Sequence, residues 1–436
     1  MRPLLLRGGR VIDPSRDLDD TADLLIQDGQ VKAVGRGLGL PNGGEAMDVT
    51  GLVVAPGLVD VHTHLREPGQ EDRETIASGA AAAAAGGFTA VCAMPNTDPP
   101  IDNQSAVGFV VKQGAAAAGA RVYPIGAVSL GQKGEHLAEF GELVGAGAVA
   151  VSDDGRPVAS GHLMRTALEY ARTFGIPVAD HCEEPSLAAG GVMHEGLVAT
   201  RLGLKGIPAA AEEIMVARDI LLAGHTGGHV HLCHMSTRGS VELIRRAKDR
   251  HLPVTAEACP HHFALTHDAC EGYNTNAKMN PPLREREDVE AIRAGLKDGT
   301  IDAIATDHAP HHYDAKEREF DDAPFGIVGL ETALGLGLTV LVEGGVLPLA
   351  QLIARMSTVP ARTFGLTGGS LAPGRPADVL VFDPSAAWTV DPRRFRSKSR
   401  NTPFAGWELK GRVVRTIVGG RTVFHSGSGE GGVVRP

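Results

Sequence analysis

Basic residues are in deficit in this 436-residue chain: 42 lysines and arginines stand against 52 aspartates and glutamates, for a formal charge of −10. That balance argues against a phosphate-backbone partner, since nucleic-acid binders usually carry a basic stripe. Cysteine is scarce as well. The five present (Cys92, Cys182, Cys233, Cys259 and Cys270) form no C-x-x-C pair. An odd number in a long chain speaks against a disulfide framework and for a reducing compartment. Long apolar runs are missing. Only three leucines separate Pro3 from Arg7, too few for the apolar segment of a signal peptide. The long uncharged stretch from Thr75 to Thr97 is mostly alanine and glycine, with Pro95 inside it, and reads as a buried helix followed by a strand rather than a membrane span. Aromatics are only 4% of the chain. The expectation is a cytoplasmic protein with neither a membrane nor a nucleic-acid partner. What is plentiful is glycine (56) and proline (27), yet their share stays below the ~25–30% that marks low complexity, so many turns are implied and not disorder.

At about 100–200 residues per domain the length suggests two or three domains, although α/β barrels reach about 250 residues as one. Both ends are rich in short alternating strands: LLLRGGRVI and DLLIQDGQVKAVG near the start, ADVLVFDP and GRVVRTIVGGRTVF near the end. Neither end makes a domain alone, so one small β-domain is expected from residues 1–54 and 367–436 together. In 55–366 short apolar runs alternate with helical patterns. Strands are expected to begin near Leu58, Phe88, Arg121, Ala148, Ile176, His229, Leu252 and Ile301, with helices over 162–175, 210–224 and 286–299. Most spacings fit the ~30-residue βαβ scale. Eight such units predict an α/β fold with a TIM-like (β/α)8 barrel. A doubly wound open sheet is the alternative, but no G-x-G-x-x-G follows the first strand.

A barrel concentrates chemistry at the C-terminal ends of its strands. Strand one ends GLVDVHTHLRE, with His62 and His64 two residues apart and hence on one face. By itself this is a weak signal, equally consistent with two surface histidines. Strand four, however, ends with Asp153 and Asp154, strand five with His181, strand six with His231 and His234, and strand eight with Asp307 and His308. Ionisable residues after five separate strands would converge on one mouth. Imidazoles and carboxylates together suit Zn²⁺ or another divalent transition metal, with room for two ions. His231 and His234 are offset by three on a strand of period two and cannot both face inward simply; His234 is favoured.

The runs DVHTHLREPG, MPNTDPPIDN, DHCEE, NPPLR and ATDHAPHH together resemble the class I bacterial dihydroorotases of the amidohydrolase superfamily. The likeness extends from the N-terminal β-segments through PFGIVGLE to GRPADVLVFDP. It implies that His62, His64, His181, His234 and Asp307 are metal ligands, that Asp307 is also the catalytic acid/base, and that an aspartate replaces the bridging lysine common in the superfamily. The pattern matches Asp154, although the residues alone do not choose between it and Asp153. One or two Zn²⁺ are implied, a binuclear site being favoured. The substrate pair would be L-dihydroorotate and N-carbamoyl-L-aspartate, in pyrimidine synthesis leading to UMP. Arg66 could grip the substrate carboxylate through two parallel hydrogen bonds, with His64, Asn96 and His311 beside it, Asn280 reading the ring, and the backbone near Phe325 and Gly326 closing over it. The plainer readings are a surface salt bridge from Arg66 to Glu67 or Glu71, and turn formation at Asn280 before Pro281-Pro282. His261, His262, His308 and His312 are assigned only supporting or solvent-facing places. The charged segment 309–329 is expected to be mobile and to order over substrate.

Hydantoinases, dihydropyrimidinases and allantoinases are the near rivals. As families they use the strand-four lysine, absent here, and do not need Arg66. A non-catalytic scaffold for aspartate transcarbamoylase is a rival of another class, but the chain keeps every matched ligand. A homodimer and a complex with that transcarbamoylase are candidate assemblies.

Overall fold

The computed structural model describes residues 2–427. Eight parallel strands run around a ring: strand one, Leu58–Thr63; two, Phe88–Ala93; three, Arg121–Pro124 continued by Gly126–Ala127; four, Val151–Ser152; five, Val178–Asp180; six, Val230–Leu232; seven, Val254–Ala258; eight, Ala303–Ile304. Each pairs in parallel with the next. The ring closes just beyond strand eight, where His308 bridges Thr63 and accepts from the His64 amide at 2.9 Å. Buried Asp60 reinforces this seam, accepting from the Thr306 amide and hydroxyl. The result is an α/β barrel of the TIM type. Small side chains fill its middle, with Ala90, Cys92, Ala150, Ala179, Cys233 and Ala305 packing against Val59 and Val61.

Several strands start two or three residues later than the apolar pattern suggests, and helix termination explains it. Ala148, Ile176 and Leu252 donate their amides back to Leu143, Ala171 and Ala247 of the preceding helices. Ile301 does the same to Gly295. These apolar residues close a helix before the strand begins, as the residue after a helix-stop glycine often does. Gly147 (φ 118°) and Gly175 (φ 67°) occupy the left-handed stop positions. The helix expected over 210–224 runs Ala210–Thr226, because Gly224 lies inside it against Leu252 and Gly227 is the stop. The uncharged stretch forms helix Ile76–Ala85, capped by Thr75 and Ser78, followed by strand two. Among the described residues no helix is long and apolar enough to cross a membrane.

A second sheet joins both chain ends. Its order is Arg421–His425, Glu408–Val418, Val379–Thr389, Val53–Pro56, Leu4–Asp13, Leu18–Gln27, Gln30–Gly35, with Glu45–Asp48 also on Leu4–Asp13. The antiparallel pairing of Val379–Phe382 with Val53–Pro56 is the seam between the ends. Leu6, Val11, Leu24, Val54, Val379 and Ile417 form a core of its own. Pro56 leads within two residues into strand one, so this sheet runs directly into the strand that carries His62 and His64.

Candidate active site

The C-terminal ends of strands one, four, five, six and eight bring His62, His64, Asp154, His181, His234 and Asp307 together, all buried. Three of the residues that turn into this region, Arg66 (φ 64°), His234 (φ 40°) and Asp307 (φ 46°), have left-handed backbone. Such strain costs of order 1–3 kcal/mol and persists where the surrounding structure over-determines it.

Asp154 sits between two groups of imidazoles. Its Oδ2 lies 3.4 Å from His62 Nε2 and 3.3 Å from His64 Nε2. Its Oδ1 lies 3.3 Å from His234 Nε2 and 3.7 Å from His181 Nδ1. Asp307 Oδ1 faces the first group, 3.0 Å from His64 Nε2 and 3.5 Å from His62 Nε2. The neighbouring Asp153 points away and accepts from the Val128 and Ser129 amides and the Ser129 hydroxyl, so its oxygens are committed to the fold. Asp154 lies in the turn that follows strand four, and with Asp153 held by these donors only one of the pair reaches the histidines.

These donors fit metal ions. His62 donates Nδ1–H to Glu257 Oε1 at 2.6 Å, and His64 donates Nδ1–H to Asn96 Oδ1 at 2.8 Å. In each neutral ring the Nε2 lone pair is then left facing carboxylate oxygens. His62 Nε2 is buried with no hydrogen-bond partner. Lone pairs converging on anionic oxygens repel unless a cation lies among them. The donor atoms of His62, His64 and Asp307 lie within 4.8 Å of one another, as do those of Asp154, His181 and His234. The electrostatics show the same demand for positive charge at this point, which either a proton or a metal ion meets. Burial opposes charge on His62, but Asp154, Asp307 and Glu257 outweigh it and raise its pKa well above the ordinary value. Burial likewise opposes charge on Asp307 and Asp154, yet the imidazoles hold both carboxyls below the usual range.

A cavity of about 310 Å³ opens beside this cluster, lined by His64, Arg66, Asn96, Asp154, His181, His234, Asn280, Asp307, His311, Phe325 and Gly326 among others. A larger cleft of about 1070 Å³ lies by the terminal sheet, between Trp388, Arg412 and Glu331, and holds none of these groups, so volume does not mark the site. Arg66 is buried, donates Nε–H to Pro310 O at 3.2 Å, and forms no ion pair with Glu67 or Glu71. Burial, with Arg73 nearby, lowers its pKa to about 10, so it stays charged at neutrality. Asn280 Nδ2 donates to Glu183 Oε2 at 2.9 Å, while its Oδ1 is buried without a partner. His311 donates Nε2–H to Phe325 O at 2.7 Å, and burial together with Arg66 lowers its pKa to about 2, so it is neutral. The Gly326 amide is bonded to Lys278 O, and a Cβ there would meet Ala309 O at 2.7 Å. Gly326 therefore shapes the wall rather than offering a free donor. His308 turns outward to Glu74, and His261 and His262 are buried beside Cys259, off the cavity.

A family profile described as "Dihydro-orotase-like" matches residues 51–240, and one described as "Amidohydrolase family" matches 272–424. A dihydroorotase of Geobacter metallireducens is 54% identical over 421 residues, 97% of this chain and 99% of that protein. One from Anaeromyxobacter sp. strain K is 56% identical over 98% of this chain and 99% of its own length. The chain belongs to the dihydroorotase family. Among solved structures, the L-hydantoinase (dihydropyrimidinase) of Arthrobacter aurescens superposes with a TM-score of 0.88 at 27% identity, over 98% of this chain and 96% of that one. The D-hydantoinase of Thermus sp. does so with a TM-score of 0.82 at 25% identity, over 99% and 97%. Dihydroorotase-family sequence on a barrel shared with hydantoinases places the chain among the cyclic amide hydrolases.

Two residues of this dihydroorotase-family site were not anticipated from sequence. Glu257, fully buried on strand seven, accepts from His62 Nδ1 and, at 3.0 Å, from His231 Nε2. Glu183 holds Asn280. Glu257 stands at the end of VTAEA, an apolar run whose ending carried the same signal as the other strands.

Proposed function

We propose that this chain interconverts N-carbamoyl-L-aspartate and L-dihydroorotate, in the pyrimidine pathway that leads to UMP. One observation carries the substrate reading: a buried guanidinium that forms no ion pair among the described residues, Arg66, shares a 310 Å³ cavity with the histidine–carboxylate cluster. Such a guanidinium, placed beside the reacting amide, suits an anionic ligand. Arg66 grips the exocyclic carboxylate with two parallel hydrogen bonds. Asn96 spends its Oδ1 on His64, and its amide N–H₂ supports the same carboxylate. The unpartnered Asn280 Oδ1 accepts a ring N–H.

His62, His64 and Asp307 would hold one ion and His181 and His234 a second, with Asp154 between them; zinc suits this nitrogen–oxygen set. When bound, the metal supplies Lewis acidity, which makes water available as a nucleophile near neutral pH and polarises the amide carbonyl. Asp307 accepts the proton of the attacking water and returns it to the departing ring nitrogen, acting as base and then as acid. Ring closure reverses each step. Glu257 keeps the His62 ring in one tautomer throughout.

In this reading residues 2–54 and 367–427 form the β-domain and 55–366 the catalytic barrel; residues 1 and 428–436 of the expected span 1–54 and 367–436 lie outside the described residues. All five cysteines are buried thiols, which supports a reducing, cytoplasmic setting. A homodimer and a complex with aspartate transcarbamoylase remain candidate assemblies. The deciding experiment is a spectrophotometric assay of L-dihydroorotate opening beside hydantoin and dihydrouracil. Preference for dihydroorotate is expected; preference for either other ring would overturn the proposal.

A further inference from the structure

Two lysines are buried behind the wall of the substrate cavity, bonded to the segments that supply its lining residues Met279, Asn280 and Pro324, and the chemistry above uses neither. Lys316 and Lys278 are 6% and 2% exposed. Among the described residues no carboxylate pairs with either ammonium; backbone carbonyls take that place. Lys316 Nζ donates to Pro324 O at 2.7 Å, Thr275 O at 3.0 Å and Lys278 O at 3.3 Å. Lys278 Nζ donates to Phe320 O at 2.6 Å and Asp321 O at 3.0 Å, and lies 4.8 Å from the centre of the Phe325 ring. A buried charge without a counter-ion is costly and persists only where dipoles replace its water. Five carbonyls, from two separate segments, are drawn in here. One segment leads to Asn280. The other is the connection after strand eight, which ends in the cavity-lining Pro324–Phe325–Gly326.

We infer that Lys316 is a positioning residue for substrate binding: its ammonium ties Pro324 to Thr275 and Lys278 and so fixes the Phe325–Gly326 wall, against which His311 is held beside Arg66. Lys278 works with it, pinning Phe320 and Asp321. The segment earlier expected to order over substrate is thus latched in place before substrate arrives. The inference rests on the dihydroorotate reading of the cavity.

The test is Lys316→Met in the zinc-loaded full-length protein, alongside Lys316→Arg and Arg66→Ala. Lys316→Met should raise KM for L-dihydroorotate about tenfold, the scale of one charge-assisted hydrogen bond. A wall that binds ground and transition states alike affects KM, so kcat should stay within about threefold. Zinc content should not change, amide exchange should quicken over residues 320–326 alone, and Lys316→Arg should recover most of the KM. An unchanged KM, or faster exchange throughout the barrel, would overturn the inference. Should Lys316→Met not fold, wild-type exchange decides: slow exchange at 320–326 without substrate is expected, and rapid exchange there refutes a preformed latch. If Arg66→Ala leaves KM untouched while Lys316→Met raises it, the dihydroorotate reading has failed and the latch has not.

Discussion

Glu257→Gln isolates the contribution of a carboxylate that touches no substrate. Glu257 accepts at both oxygens: from His62 Nδ1 at 2.6 Å and the His234 amide at 3.3 Å on one, and from His231 Nε2 at 3.0 Å on the other. Glutamine keeps the shape. Its carbonyl can still accept from His62 and His234, while its NH₂ meets His231. That ring can take the other tautomer and donate Nδ1–H to Thr255 Oγ1, 2.8 Å away. No buried group is orphaned, so the fold should hold. What disappears is the negative charge, and with it the charge assistance to the His62 hydrogen bond. Charge-assisted bonds contribute about 1.5–3 kcal/mol and neutral ones about 0.5–1.5, a difference of about 1–2 kcal/mol. At 1.4 kcal/mol per tenfold, zinc affinity should fall by about 5- to 30-fold, within the ~10–100-fold seen for outer carboxylates of metal-bound histidines. Chelator competition measures this directly, and excess zinc should restore most of the turnover. Glu257→Ala is the contrast: it strands two buried imidazoles and should destabilise the protein by about 3–5 kcal/mol. Wild-type zinc affinity in the Gln variant would refute the argument. So would an activity loss that saturating zinc cannot repair, which would place Glu257 in the chemistry itself.

Arg66→Ala should weaken dihydroorotate binding with zinc content unchanged, and Arg66→Lys should recover it only in part, because an ammonium cannot make the planar two-bond grip; steady-state kinetics with metal analysis check both. Asp307→Asn should cost at least about 10²–10⁴-fold in both directions, the range for a positioned acid/base, with zinc at least partly retained, whereas His62→Ala or His181→Ala should lose metal and activity together. Exhaustive chelation should abolish turnover and zinc should return it; full activity in a demonstrably metal-free sample would rule the mechanism out. Buried His194, which accepts from Arg284 at 3.1 Å, has its pKa lowered to about 3, by burial first and then by that guanidinium. The unfolded chain therefore binds a proton between about pH 6.5 and 3 that the folded chain refuses, and stability falls as pH drops through that window by about 1.4 kcal/mol per unit for this residue. Denaturant titrations at pH 7 and pH 5 should show a smaller drop for His194→Gln than for wild type.

The barrel was legible because its signal is local. Apolar runs, alanine-rich helices and glycine stops repeat on the scale of a single βα unit, and each is set by neighbours within about a dozen residues. The errors were local as well: Ala148, Ile176, Leu252 and Ile301 read as strand because they are apolar, while their amides finish the preceding helix. The histidines and aspartates were visible for a related reason. A polar residue directly after a buried strand can reach the mouth of the barrel, as His64, Asp154, His181, His234 and Asp307 do, whereas Asp153 and His308 turn to Ser129 and Glu74.

What stayed hidden depends on contacts between distant segments. Nothing in VSDDG says which aspartate turns inward; that follows from Ser129 and Val128, more than twenty residues upstream, which occupy Asp153. Glu257 has meaning only beside His62, 195 residues away in the chain. Lys316 reads as one more charge in a polar loop until Pro324, Thr275 and Lys278 surround it. In each case the residue type was unremarkable, and its importance comes from the closing of the ring, which turns side chains on separate strands and loops into one another's nearest neighbours. Outer residues of this kind are the ones a motif misses, and they decide whether the ligands a motif finds are held in a single tautomer and a single place. A family resemblance built on ligand motifs is therefore a firmer guide to the reaction than to how tightly this chain holds its metal or its substrate, and Glu257 and Lys316 are where those two affinities should be sought.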